Sequence, residues 1–202
     1  MRPTRGLEEN AIYHVMFRAN LQENIFLKDE DKELAEYILY CKKIKYGFQL
    51  KNHVVMNNHI HLLIKPVGKK EILSTIMKSI KCSIAINYNN KYDRKGYLWY
   101  DRFKSKIVRD SAYYSTIIKY ISDNPVKANL AQDVYSYKYS SLYHLMRKEY
   151  HLVDEPDEVM RELYPFLPSE KMDFTLNHIA SRNISSPVTS WGFLDFPKDI
   201  IK

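Results

Sequence analysis

The sequence predicts an α+β sandwich of the split-βαβ, ferredoxin-like kind: an antiparallel sheet, a further helix after the fourth strand, and a C-terminal helical or irregular extension. Three observations carry this. Apolar residues switch between alternating and helical spacing in the order strand, helix, strand, strand, helix, strand, helix. Turn and stop residues (Gly47, Asn57-Asn58, Pro66) stand at the joints between those segments. No internal repeat runs through the chain, which excludes a solenoid or propeller.

Each element has its own local reason. Residues 11–18 alternate, with Tyr13, Val15 and Phe17 on one face and His14, Met16 and Arg18 on the other, as in a half-buried strand. Residues 29–46 open on Asp29, a helix-capping type, repeat Leu34, Ile38, Cys41 and Ile44 at helical spacing, and stop at Gly47. Residues 48–56 read as a strand, Asn57-Asn58 as a tight turn because asparagine tolerates positive φ, and 59–65 as the returning strand closed by Pro66. Residues 70–88 form a second amphipathic helix through Ile72, Ile76, Ile80, Ile84 and Tyr88. A polar, basic loop over 89–98 leads to a short strand at 104–109. Residues 111–123 form the third helix, capped by Asp110 or Ser111, and Pro125 is expected to end it by forcing Asn124 out of the helical region. Residues 131–150 are rich in Tyr, Ser and Lys, with a short helix. From 152 the chain turns acidic, with a helix at 157–164. The expected division is one domain over 1–150 and an acidic C-terminal extension over 151–202, a docked or partly mobile tail and not a second domain, with no role assigned.

Composition bounds the function. Among 202 residues, 45 % are apolar and 27 % charged, enough to bury a core and too apolar for a disordered chain. No stretch is long and apolar enough to span a membrane, and the first residues lack the apolar run of a secretory signal. Cys41 and Cys82 lie in Lys-rich helical segments, so no disulfide framework organises the chain and a cytoplasmic location is expected. The net charge of +7 is uneven: residues 1–150 hold 26 Lys/Arg against 15 Asp/Glu, and 151–202 hold 5 against 9. A basic body points to a polyanion, and 17 tyrosines interleaved with cations suit stacking on unpaired bases, though tyrosines also fill cores.

Three clusters have chemical content. His59 and His61 share one face of their strand while Ile60, Leu62 and Ile64 share the other, so two imidazoles stand side by side opposite the packed face. They could bind one divalent cation, or be ordinary surface or core histidines. Tyr120 and Asn124, four apart on the third helix, lie at the edge of the stripe formed by Tyr114, Ile117, Ile118 and Ile121. They are a reachable pair over a neighbouring sheet, or a boundary tyrosine and a stop asparagine. Arg102, Lys104, Lys106 and Arg109 surround the fourth strand, either as a phosphate track or as lysines protecting an edge strand.

Ordered segments of the chain resemble the REP-associated tyrosine transposases, within the insertion-sequence-200-like, single-tyrosine HUH transposases. Tyr13-His14-Val15 with Arg18-Ala19-Asn20 is similar to the family's first strand. Val55 to Leu63 is similar to its VMPNHVHLL hairpin, Gly96 to Ser105 to its GHLWQGRFKS segment, Tyr120 to Ala128 to its RYIHLNPVRAGL helix, and Tyr139-Ser140-Ser141 to its trailing stretch. The resemblance spans residues 5–145. The chain departs from the pattern at Asn57 (usually Pro), Ala19 and Asn129 (usually Gly), and Asp101 near a usual Gly.

The resemblance implies a metal-dependent enzyme that cleaves and transfers single-stranded, hairpin-containing DNA. Tyr120 would be the nucleophile, leaving a 5′-phosphotyrosine and a free 3′-OH. His59 and His61 would hold Mg²⁺ or Mn²⁺, with Asn124 as a third ligand from the tyrosine helix. Arg2 and Arg5 of the N-terminal arm, with Arg18, Arg102, Lys104, Lys106 and Arg109, would contact the DNA backbone. The protein would be a monomer or homodimer without membrane association. The alternatives are a non-catalytic or domesticated hairpin-binding protein, and an HUH nickase of another kind or an RNA-cutting enzyme.

Overall fold

The computed structural model describes residues 7–68 and 72–168; Arg2, Arg5 and the chain beyond 168 lie outside them. The elements are β1 (Ile12–Arg18), α1 (Asp29–Tyr46), β2 (Gln49–Val55), β3 (His59–Lys65), α2 (Ile72–Lys91), β4 (Lys104–Val108), α3 (Ser111–Lys127), α4 (Ser141–Met146) and α5 (Glu158–Leu163). The four strands form one antiparallel sheet in the order β2-β3-β1-β4, the α+β architecture expected. No helix among the described residues is long and apolar enough to cross a membrane.

Three local expectations are corrected. Asp29 is the first residue of α1, not its cap; Lys28 stands at the cap position, and Asp29, Glu30 and Asp31 place negative charge in the first turn, where the helix dipole favours it. The Asn57-Asn58 turn joins β2 to β3, but neither residue has positive φ. Their carbonyls instead accept from the backbone N–H groups of Phe26 and Ala19, tying the turn to the chain that follows β1. Pro125 does not end α3, which runs on to Lys127 with Pro125 inside it. The proline sits in the last turn, where it removes one ladder donor, and bonds from Ala128 to Asn124 and from Leu130 to Pro125 close the helix beyond it.

The sheet has two distinct faces. Tyr13, Val15 and Phe17 pair with Ile64, Leu62 and Ile60, and this apolar face meets α1 and α2. His53 reaches Glu36 of α1 from it, and the Lys81 ammonium of α2 lies over Phe17. The opposite face carries His14, Met16, Arg18, His59 and His61, and α3 lies across it. A bulge in β2 between Leu50 and Asn52 reverses the alternation, so Asn52 turns to α3 and His53 to α1. Buried Asn52 donates its amide to Ile118 O (3.2 Å) and Ser122 Oγ (3.1 Å), pinning α3 to the sheet. Asn52→Leu is expected to destabilise the protein by about 1–3 kcal/mol, the cost of stranding a buried polar partner. A lowered urea midpoint at constant m-value would show it.

The segment after α3 covers the outer edge of β2. Val54 bridges Ser140, Val55 N–H donates to Tyr139 O, and Asp154 N–H donates to Leu50 O. Leu152, Val153, Met160, Tyr164 and Leu167 belong to the same core as the sheet. Tyr114 of α3 donates its hydroxyl to Asp157, the cap of α5, at 2.5 Å. The other edge, β4, exposes Lys104 and Lys106, cations that discourage a further strand from pairing there.

Candidate active site

On the α3 face, strand alternation and pairing bring three histidines together. Met16 lies opposite His61 and Arg18 opposite His59, so His14 falls diagonal to His61. His14 Nε2 and His61 Nδ1 are 2.9 Å apart, and the His59 and His61 rings are 4.9 Å apart, edge to face. Above them α3 presents Tyr120, its buried stripe of Tyr114, Ile117, Ile118 and Ile121 turned to the sheet. The Tyr120 ring stands 5.4 Å from His61 and 6.0 Å from His14, edge-on to both, and stays 42 % exposed. The phenol therefore overhangs the imidazoles of its own chain and is open to solvent.

Burial keeps these imidazoles neutral. It pushes His61 down to about 2, helped by His59 and His14, and His14 down to about 4, helped by Lys106. His59 is also lowered, by burial and then by Arg18. Each candidate ligand has its Nδ1 engaged: His59 Nδ1 donates to Asn58 Oδ1 at 2.6 Å, and His61 Nδ1 faces His14. When His61 is the donor in that pair, both Nε2 atoms carry lone pairs, the tautomer a metal requires. Two neutral imidazoles below a solvent-open phenol suit a divalent cation that keeps positions for water or phosphate.

The other predicted residues are less uniform. Asn124 lies one turn beyond Tyr120, but its amide nitrogen donates to Tyr120 O at 2.7 Å. Lys106 and Lys104 pair with His14 and Met16 and so share the imidazole face; the Lys106 ammonium lies 4.2 Å over Tyr113. Arg18 stacks on Tyr100 at 4.8 Å. Arg109 is paired with Glu8 at 2.6 Å, and Arg102 belongs to a cavity beside α2. The sequence reading missed His14 as a member of the cluster. Its face on β1 was visible, but its partner strand was not assigned.

A second group, Glu36, His53 and His144, could hold a metal ion, since their ligand atoms all lie within 4.8 Å of one another. It is buried on the α1 side of the sheet, away from Tyr120. Glu36 Oε1 meets His53 Nε2 at 2.8 Å and His144 Nε2 at 3.1 Å, and the two Nδ1 atoms meet Ser141 and Glu149. Protons alone satisfy every one of these contacts.

The family model described as "Transposase IS200 like" matches residues 8–124, from before β1 to Asn124. The chain belongs to the IS200-like transposases. A REP-associated tyrosine transposase, solved bound to a REP hairpin, is similar over 87 % of this chain and 95 % of its own, at 18 % identity and TM-score 0.61; the likeness is one of fold. A protein of Deinococcus radiodurans R1, provisionally described as a transposase, covers 61 % of this chain at 21 % identity and TM-score 0.43, with 97 % of its own length aligned. The tRNA(His) guanylyltransferase of Saccharomyces cerevisiae covers 63 % of this chain and 64 % of its own, at 8 % identity and TM-score 0.48. No curated protein matches at a significant level.

Proposed function

We propose that this transposase cleaves and transfers single-stranded, hairpin-containing DNA through a 5′-phosphotyrosine at Tyr120, with His59 and His61 holding Mg²⁺ or Mn²⁺. The observation that carries the reading is the exposed Tyr120 ring 5.4 Å from His61 on the same chain. The phenol oxygen attacks the scissile phosphorus, the P–O3′ bond breaks, and the phenolic proton is lost as the departing 3′-oxygen becomes a hydroxyl. The phosphodiester exchanged for a phosphotyrosine can be rejoined to another 3′-OH. When bound, the divalent cation supplies Lewis-acid charge neutralisation at the phosphate. His14 and Asn58 orient the two ligand imidazoles, and Asn124 offers its amide oxygen as the third ligand. Arg18, Lys104 and Lys106 flank the site and track the backbone, which positions the strand without reading its sequence. The hairpin is carried to this chain from the relative of the same fold.

The test is incubation with Mn²⁺ and end-labelled hairpin DNA, followed by a denaturing gel. A covalent protein–DNA band supports the reading, and salt-dependent binding without an adduct would replace it with a non-catalytic hairpin binder. An RNA hairpin cut in preference to DNA would reassign the substrate through its 2′-OH. His59→Ala and His61→Ala are each expected to lower metal-dependent cleavage by more than ~100-fold, beyond the loss for a residue that only supports a ligand. Undiminished cleavage in both would end the ligand assignment.

A further inference from the structure

Tyr120, Asn124 and Lys127 stand four and three residues apart near the end of α3, so they stack on one side of the helix. The Lys127 ammonium lies over the Tyr120 ring, 6.0 Å from its centroid. Both side chains are open to solvent. A phosphate that reaches the Tyr120 oxygen from solvent is therefore brought to Lys127 as well.

Other cations around the site are engaged elsewhere. Lys106 lies over Tyr113, two turns earlier on α3, Arg18 lies over Tyr100, and Arg109 is paired with Glu8. Lys119 precedes Tyr120 but is turned about 100° away around the helix axis. Lys127 itself pairs with Asp123 at 3.6 Å across one turn. An exposed pair of this kind contributes little, so the ammonium can exchange it for a phosphate oxygen at small cost. A cation in the last turn also complements the helix dipole, but that role is read in stability and not in a saturated rate.

The chemistry proposed above needs charge neutralised on both non-bridging oxygens of the phosphate as the phenol oxygen attacks. His59 and His61 act from the sheet side of Tyr120, and Lys127 is the positive group over the ring from α3. We infer that Lys127 is a catalytic residue of this reaction: its ammonium donates to a non-bridging oxygen of the phosphate at Tyr120, both as the phosphotyrosine forms and as it is rejoined. The inference rests on the DNA-cleavage reading and adds a second positive group to it.

The test is single-turnover adduct formation by the full chain with Mn²⁺ and hairpin DNA, taken to saturation. Lys127→Met keeps the side-chain stem and removes the charge, at an exposed position where the fold does not depend on it. It is expected to lower the saturated rate about 100-fold, the scale of losing one donor to a reacting oxyanion, with the half-saturating DNA concentration within about threefold. Lys127→Arg is expected to restore the rate to within about fivefold. On DNA with a methylphosphonate at the cleaved position, which lacks the charge that the ammonium meets, wild type and Lys127→Met should agree within about threefold. A loss confined to the half-saturating concentration would make Lys127 a backbone contact only, and a gap that persists on the methylphosphonate would make its role structural. Either result, or an unchanged rate, overturns the inference and leaves the cleavage reading standing. If the wild-type protein forms no adduct, the cleavage reading fails and takes this inference with it.

Discussion

Tyr120→Phe is expected to abolish the covalent protein–DNA species, by at least ~1000-fold, the scale seen when a nucleophile is removed from an otherwise intact site. Hairpin binding should stay within about threefold, roughly 0.65 kcal/mol. Phenylalanine keeps the ring that lies edge-on to His61 at 5.4 Å and to His14 at 6.0 Å, so packing between α3 and the sheet is retained and only the attacking oxygen is lost. An adduct that survives would have to form on another tyrosine of the same helix. Tyr114 is a poor candidate: its hydroxyl is committed to Asp157, and burial and then that carboxylate push its pKa far above the ordinary phenol value. Tyr113, under the Lys106 ammonium at 4.2 Å, would be the residue to replace next. Tryptic mapping of the adduct in the wild-type protein decides between them, and an adduct mapped to Tyr113 would overturn the assignment of Tyr120.

The parts of this site that could be read in the sequence are those set by periodicity. Alternation alone places His59 and His61 together opposite Ile60, Leu62 and Ile64, and the stripe from Tyr114 to Ile121 sets Tyr120 at the edge of α3's buried face. What stayed hidden depends on pairing and register. His14 joins the cluster because β1 pairs with β3 in one specific alignment, which alternation within β1 does not disclose. The bulge after Leu50 is a one-residue slip that sends Asn52 and His53 to opposite helices, and nothing in Leu50-Lys51-Asn52-His53 marks it. The rule that a residue before proline leaves the helix failed at Asn124 because Pro125 falls in the last turn with its ring buried. The Glu36 group lay beyond any local pattern, since Glu36 and His144 are separated by 108 positions and meet only once the segment after α3 has wrapped the edge of β2.

Glu36→Gln is expected to destabilise the fold by about 3–5 kcal/mol, the cost of breaking a buried ion pair by removing one partner. Burial would raise the Glu36 carboxyl, but hydrogen bonds from His144 and His53 hold it below the usual carboxylate range. Burial likewise opposes a charge on His144, yet Glu149 and Glu36 carry its pKa up to about 9. His53, its pKa lowered chiefly by burial, stays neutral, donating from Nε2 to Glu36 and accepting at Nδ1 from Ser141. An imidazolium between two carboxylates thus joins α1 to the segment that covers the β2 edge. The sign of the pH dependence follows. A histidine whose folded pKa is raised above 6.5 contributes fully below that pH and loses its contribution as pH climbs through about 9, here about 3 kcal/mol at 1.36 per pKa unit. Glu36, its folded pKa lowered, adds the opposite limb, losing its contribution as pH falls through the acid range. Urea midpoints taken from pH 6.5 to 9 should therefore fall in the wild-type protein and fall less in Glu36→Gln, where His144 retains Glu149 alone. A flat wild-type profile, or a Glu36→Gln cost under ~1 kcal/mol, would refute the ion pair. A midpoint lowered by EDTA at pH 7 would mean that a metal, and not a proton, joins the three side chains.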